Sequence, residues 1–220
     1  MAKWEQLKGR VLRALKAEDQ TQPKWVADDV LDYLSFALDA FSSHTARQVL
    51  WSKTAATNIT RAVLPDDLMA LGPVWFPDRR LLSKIDLQPG MLFESETVDA
   101  DSLPFGYYEW PDGTLNLTRT LGEGETITVQ YWAYWPIPAN DDSDLMTPRW
   151  AEEALFWYMI SRAMVKSGVS RAQLGQWDTK RQSGMPEDNS PKAYAQWAED
   201  RYRSILAEHP PQDRSLWAQA

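Results

Sequence analysis

The chain has no cysteine among its 220 residues. That excludes a disulfide framework, a thiolate nucleophile, a zinc ribbon and an iron–sulfur site, and it leaves the cytosol as the default setting. Histidine is scarce: only His44 and His209 occur, and neither sits in a motif. No Gly-x-Ser-x-Gly elbow, Walker loop, dinucleotide glycine fingerprint or His-Glu-x-x-His run is present, so neither catalysis nor a cofactor is expected. The longest apolar stretch, around residues 154–160, is too short and interrupted to span a bilayer, and Met1-Ala2-Lys3-Trp4-Glu5-Gln6 lacks the apolar core of a secretory signal. No membrane partner is expected. Positive charge is in deficit, 23 Lys and Arg against 31 Asp and Glu for a net charge of −8, which argues against general phosphate binding.

Tryptophan, by contrast, is abundant. Twelve copies give the chain large packing surfaces, because each ring buries a wide apolar area and keeps one polar handle. A hydrophobic fraction of 44% with 25% charged residues is ordinary globular composition.

The apolar spacing changes twice along the chain. Trp4, Leu7, Val11, Leu12 and Leu15 make one stripe of an amphipathic helix whose other face is basic (Lys3, Lys8, Arg10, Arg13, Lys16). With Thr21 or Gln22 as cap and Pro23 in its first turn, a second helix is expected over 24–43, lined by Val26, Val30, Leu34, Ala37, Leu38 and Phe41. From Arg47 the period becomes two, and strands are expected at 49–51, 59–64, 69–76, 106–110, 114–117 and 126–135. Trp110-Pro111-Asp112-Gly113-Thr114 is a hairpin signal. Thr147-Pro148 then predicts a helix from its cap to Gly168, lined by Trp150, Ala154, Trp157, Tyr158, Met164 and Val165. A polar loop over 171–189 and a last helix begun by Ser190-Pro191 follow, with Tyr194, Trp197, Ala198, Tyr202 and Ile205 as its stripe.

The expected architecture is α+β: a bundle of about four helices carrying an inserted antiparallel β-sandwich or small barrel. Residues 1–46 and 146–210 form the discontinuous helical domain, 47–145 the β domain, and 211–220 an extended tail with Leu216 and Trp217 as its apolar anchor. Asn140-Asp141-Asp142-Ser143-Asp144 begins like a calcium loop but lacks the glycine and final glutamate of one, so a solvated loop is favoured. Asp66-Asp67 after Pro65 reads as a pair of turn acceptors rather than a general acid–base pair. An acidic run that includes Glu94, Glu96, Asp99 and Asp101 has no Lys or Arg between Lys84 and Arg119; it is a solvated loop or a surface that repels polyanions. The basic first helix fits docking onto an acidic neighbouring subunit.

The order of elements resembles a known family. Ile59-Thr-Arg-Ala-Val-Leu-Pro-Asp-Asp-Leu-Met69, then Val74-Trp75-Phe76 with a turn into Leu81-Leu82, then Ile127-Thr-Val-Gln-Tyr-Trp-Ala-Tyr-Trp-Pro136, the acidic residues 140–144, and Pro148-Arg-Trp-Ala-Glu-Glu-Ala154 are similar to the head-to-tail adaptor proteins of tailed bacteriophages. The plan also looks like the tail tubular protein A group of short-tailed phages. The likeness covers about residues 29–168. It implies a structural protein of the virion neck, assembled in the host cytoplasm. Such a protein forms a ring, typically of twelve copies, bound under the portal protein and docking the tail. The ring prolongs the channel for double-stranded DNA, which passes without specific binding, and the family implies no catalysis, cofactor or metal.

On that reading Leu216 and Trp217 dock on the portal, and Trp4, Trp110, Trp132 and Trp135 are candidates for subunit or tail contacts. Glu94, Glu96, Asp99 and Asp101 face DNA. The alternative is a carbohydrate-binding β module of an adhesin or tail-associated protein, with Trp110, Trp132 and Trp135 stacking sugar rings.

Overall fold

The structure, a computed structural model, describes residues 3–18, 27–76, 81–85, 106–110, 113–173 and 190–211. It is an α+β fold with four helices among the described residues, and it divides into two compact units. The helical unit spans Met1–Thr45 and Trp135–Gln212, and the β unit spans Ala46–Tyr134. The extended tail expected at the C-terminus lies outside the described residues.

The helices are α1 (Trp4–Glu18), α2 (Ala27–His44), α3 (Ala151–Gln173) and α4 (Ser190–Glu208). Trp4, Leu7, Val11 and Leu15 of α1 are buried against Val30, Leu34, Ala37, Leu38 and Phe41 of α2, so the 3.6-residue stripes are the core faces. Helix α3 departs from the expected pattern in three ways. It starts at Ala151, one turn past Thr147-Pro148, because the Ala151 N–H donates to the Pro148 carbonyl (2.9 Å) and closes a turn there first. It continues through Gly168 to Gln173. Its buried residues also run round the helix, including Ala151, Leu155, Phe156, Met159, Ile160 and Ala163, while Val165 is exposed. The reason is position: α3 packs against α1, α2 and α4 together, and a helix with neighbours on several sides needs apolar residues on each of them.

The β unit holds strands β1 (Arg47–Thr54), β2 (Ile59–Val63), β3 (Leu68–Trp75), β4 (Ser83–Lys84), β5 (Gly106–Trp110), β6 (Thr114–Leu121) and β7 (Thr126–Ala133). They form two sheets, ordered β1-β7-β3 and β2-β6-β5-β4. Alternate residues of both (Val74, Ile127, Val129 and Tyr131 from one; Ala62, Leu115, Leu117 and Leu121 from the other) share one core, which makes a sandwich. The expected antiparallel pairing holds except at β4, which runs parallel to β5 over two residues. Gly113 (φ 76°) sits in the expected hairpin between β5 and β6, and Gly124 (φ 80°) turns the chain between β6 and β7. No helix among the described residues is long and apolar enough to cross a membrane.

Candidate functional site

In the β unit the Leu64-Pro65-Asp66-Asp67 turn acts as a clamp. Asp67 Oδ1 accepts the Tyr131 phenol (2.9 Å) and Oδ2 accepts Arg47 Nη2 (2.8 Å). The Asp67 carbonyl also accepts the Tyr134 N–H (2.9 Å). One residue of a turn therefore ties β1 to β7 at the end of their pairing. Burial, reinforced by the hydrogen bond to the Asp67 carboxylate, pushes the Tyr131 phenol up to about 12. Both carboxylate oxygens face side-chain donors, and Asp66 beside it is exposed, which is the geometry of a fastener rather than of a proton-transfer pair.

In the helical unit the acidic loop 140–144 caps α1. The Trp4 N–H donates to the Ser143 carbonyl (3.0 Å) and the Glu5 N–H to the Asp141 carbonyl (3.1 Å), satisfying donors that a helix start otherwise leaves open. Lys8 Nζ reaches both carboxylate oxygens of Asp141 (2.9 and 2.8 Å). Arg10 lies over the Phe156 ring at 4.3 Å. Two cations of the basic first helix are thus engaged within the chain, and Arg13 is left exposed. No cluster suited to a metal ion occurs among the described residues.

The histidines join helix ends. His44 Nε2, at the last turn of α2, donates to the His209 carbonyl (2.8 Å), and the His209 ring stacks on Trp150 at 4.0 Å. Between α3 and α4 runs an aromatic series. Trp157 meets Trp197 edge-on at 4.9 Å, Tyr194 stacks on Trp197 at 5.4 Å, and Tyr158 meets Tyr202 at 5.0 Å. Burial pushes the Tyr202 phenol up to about 12. Trp197 is 46% exposed although it stands on the apolar stripe. Exposed large apolar side chains elsewhere include Phe36 on α2, Leu50 on β1 and Val63 on β2.

The tryptophans named from the sequence fall in different places. Trp4 is 2% and Trp132 5% exposed, so neither ring offers a neighbour or a sugar much surface. Trp135 is half-buried against Phe41 (6.2 Å), with its indole N–H donated to the Thr45 carbonyl (2.6 Å). The backbone of Trp110 ends β5 opposite Thr114, and its side chain lies outside the described residues. So do Glu94, Glu96, Asp99, Asp101, Leu216 and Trp217. Trp197 with Trp157 and Tyr194 is an aromatic surface that the sequence showed only as members of two helix stripes. The only signal for it was its place at the edge of the stripe in a helix with few apolar residues.

A family model described as SU10 adaptor protein matches residues 2–206, nearly the whole chain. The chain belongs to that family. It is a phage adaptor protein, a structural component of the virion. No curated protein matches the adaptor significantly. The family places the emphasis on surfaces, and the adaptor's exposed aromatic and aliphatic side chains become its candidate functional residues.

Proposed function

We propose that this adaptor joins head to tail at the virion neck. On this reading it forms a ring of twelve copies beneath the portal protein, prolongs the channel through which double-stranded DNA passes, and docks the tail or nozzle protein. Assembly takes place in the host cytoplasm, with no catalysis and no cofactor. The plan is that of the tail tubular protein A group. The observation that carries the reading is the match of residues 2–206 to the adaptor family.

Surfaces support the parts. A ring needs two different faces on each copy, and aromatic anchors are what such faces use; Trp197, backed by Trp157 and Tyr194, is the exposed anchor of the helical unit, and Trp135 and Trp110 are further contacts. Residues 212–220, through Leu216 and Trp217, dock on the portal. Glu94, Glu96, Asp99 and Asp101 line the DNA path and repel it. Disrupting the gene in the phage tests the reading: DNA-filled heads without tails should accumulate, and tails should return on complementation with the full chain. Normal tailed particles without the protein would end it.

A further inference from the structure

Four strands form the outer edges of the two sheets: β1 and β3 in one, β2 and β4 in the other. An edge strand carries a row of unpaired N–H and C=O groups, and proteins blunt such rows with bulges, proline, short length or a cover. Three of the four are blunted here. β3 has two breaks in register and contains Pro73, and the Leu82 N–H closes on the Val74 carbonyl (2.8 Å) beside it. β2 breaks register between Ile59 and Arg61. β4 has two residues.

β1 is different. Its eight residues pair with β7 in unbroken register from Arg47↔Ala133 to Thr54↔Thr126, and among the described residues no strand lies on its other side. It contains neither proline nor glycine. Leu50, in its middle, is 68% exposed. Its lysine, Lys53, stands in the last two residues and has no carboxylate partner among the described residues. Next to Leu50 an open cavity of about 760 Å³ is lined by Trp75, Glu125, Thr126 and Thr128.

We infer that the edge of β1 left open among the described residues is the docking site for an extended strand of another virion protein, which joins the β1-β7-β3 sheet as its fourth strand. The main chain of β1 supplies the hydrogen bonds, and the side chains that alternate along the incoming strand supply selectivity. Leu50 and the cavity beside it take an apolar side chain, and Lys53 takes an acidic one. A second copy of this chain is the poorer occupant. Pairing β1 with another β1 is a twofold contact that stops at a dimer and does not propagate round a ring, and the other sheet edges among the described residues are blunted. That step rests on the ring reading proposed above.

Hydrogen exchange of residues 47–54, followed by mass spectrometry in the purified full chain and in purified virions, tests the inference. The amides that point away from β7 should exchange rapidly in the free chain at every protein concentration and at least tenfold more slowly in virions. Leu50→Lys should leave thermal unfolding unchanged and cut incorporation into particles at least tenfold. Val63→Lys, an equally exposed change on the blunted β2 edge, should be incorporated normally. Unchanged exchange in particles that contain the chain would overturn the inference while leaving the adaptor reading intact. Protection that grows with concentration in the free chain would overturn it in favour of self-pairing. Absence of the chain from particles would remove the adaptor reading and this inference with it.

Discussion

The Tyr131 phenol donates to Asp67 Oδ1 at 2.9 Å, joining the central strand of one sheet to a turn 64 positions earlier in the chain. Arg47 completes the arrangement from the neighbouring strand, 2.8 Å from the other carboxylate oxygen. Asp67→Ala removes both acceptors and leaves a buried phenol without a partner, which costs about 2 kcal/mol. Tyr131→Phe removes the donor as well as its need and costs about 1 kcal/mol. Urea unfolding of the two variants beside the parent measures the difference; equal stabilities would show that the clamp holds nothing.

Alkaline pH should weaken the fold through the same phenol. Tyr131 and Tyr202 are both pushed up to about 12, chiefly by burial, against about 10 in the unfolded chain. The folded state therefore keeps protons that the unfolded state releases, so this stabilisation is complete below about pH 10 and is lost as pH rises through 12. The urea midpoint should fall over that interval. Tyr131→Phe should make the fall shallower, and an equally steep fall in that variant would contradict the assignment.

Helix α1 is held by its apolar face, not by its charges. Trp4 is 2% exposed within the helical core, and Trp4→Ala should cost about 3–5 kcal/mol. Lys8 and Asp141 meet at 2.8 Å, but the Asp141 side chain is 56% exposed. Lys8→Met should therefore change stability by less than about 1 kcal/mol. Thermal unfolding of both variants at low and high salt decides the matter, and a larger loss from Lys8→Met would reverse the order.

Trp197→Ala should separate folding from assembly. The Trp197 ring, 46% exposed, meets Trp157 edge-on and stacks on Tyr194, so Trp197→Ala should cost about 1–3 kcal/mol, less than the fully buried Trp4. Incorporation into particles should drop at least tenfold, measured by quantitative blotting against the portal protein. Full incorporation would take Trp197 out of the interface.

Much of this arrangement was legible beforehand. The stripes of α1 and α2, the Ser190-Pro191 start of α4 and the strands ending in Gly113 and Gly124 turns follow from periodicity and backbone preference, which are local properties. The start of α3 was not, because a turn closed at Pro148 competes with the cap that Thr147 offers. The role of Asp67 was half legible: a turn acceptor was expected, but its donors lie in β1 and β7, far along the chain. The tryptophans were misleading for a related reason. Composition reports how much aromatic surface exists, whereas the partition between core and surface depends on how many neighbours each helix has. Trp4 is buried within the helical core, while Trp197, which meets Trp157 of α3 edge-on, is half open.

The most direct test of the adaptor account is the copy ratio of this chain to the portal protein in gradient-purified tailed particles. The account predicts about one copy per portal subunit, retained through purification. Tailed particles that eject DNA normally and contain none of the chain would contradict it.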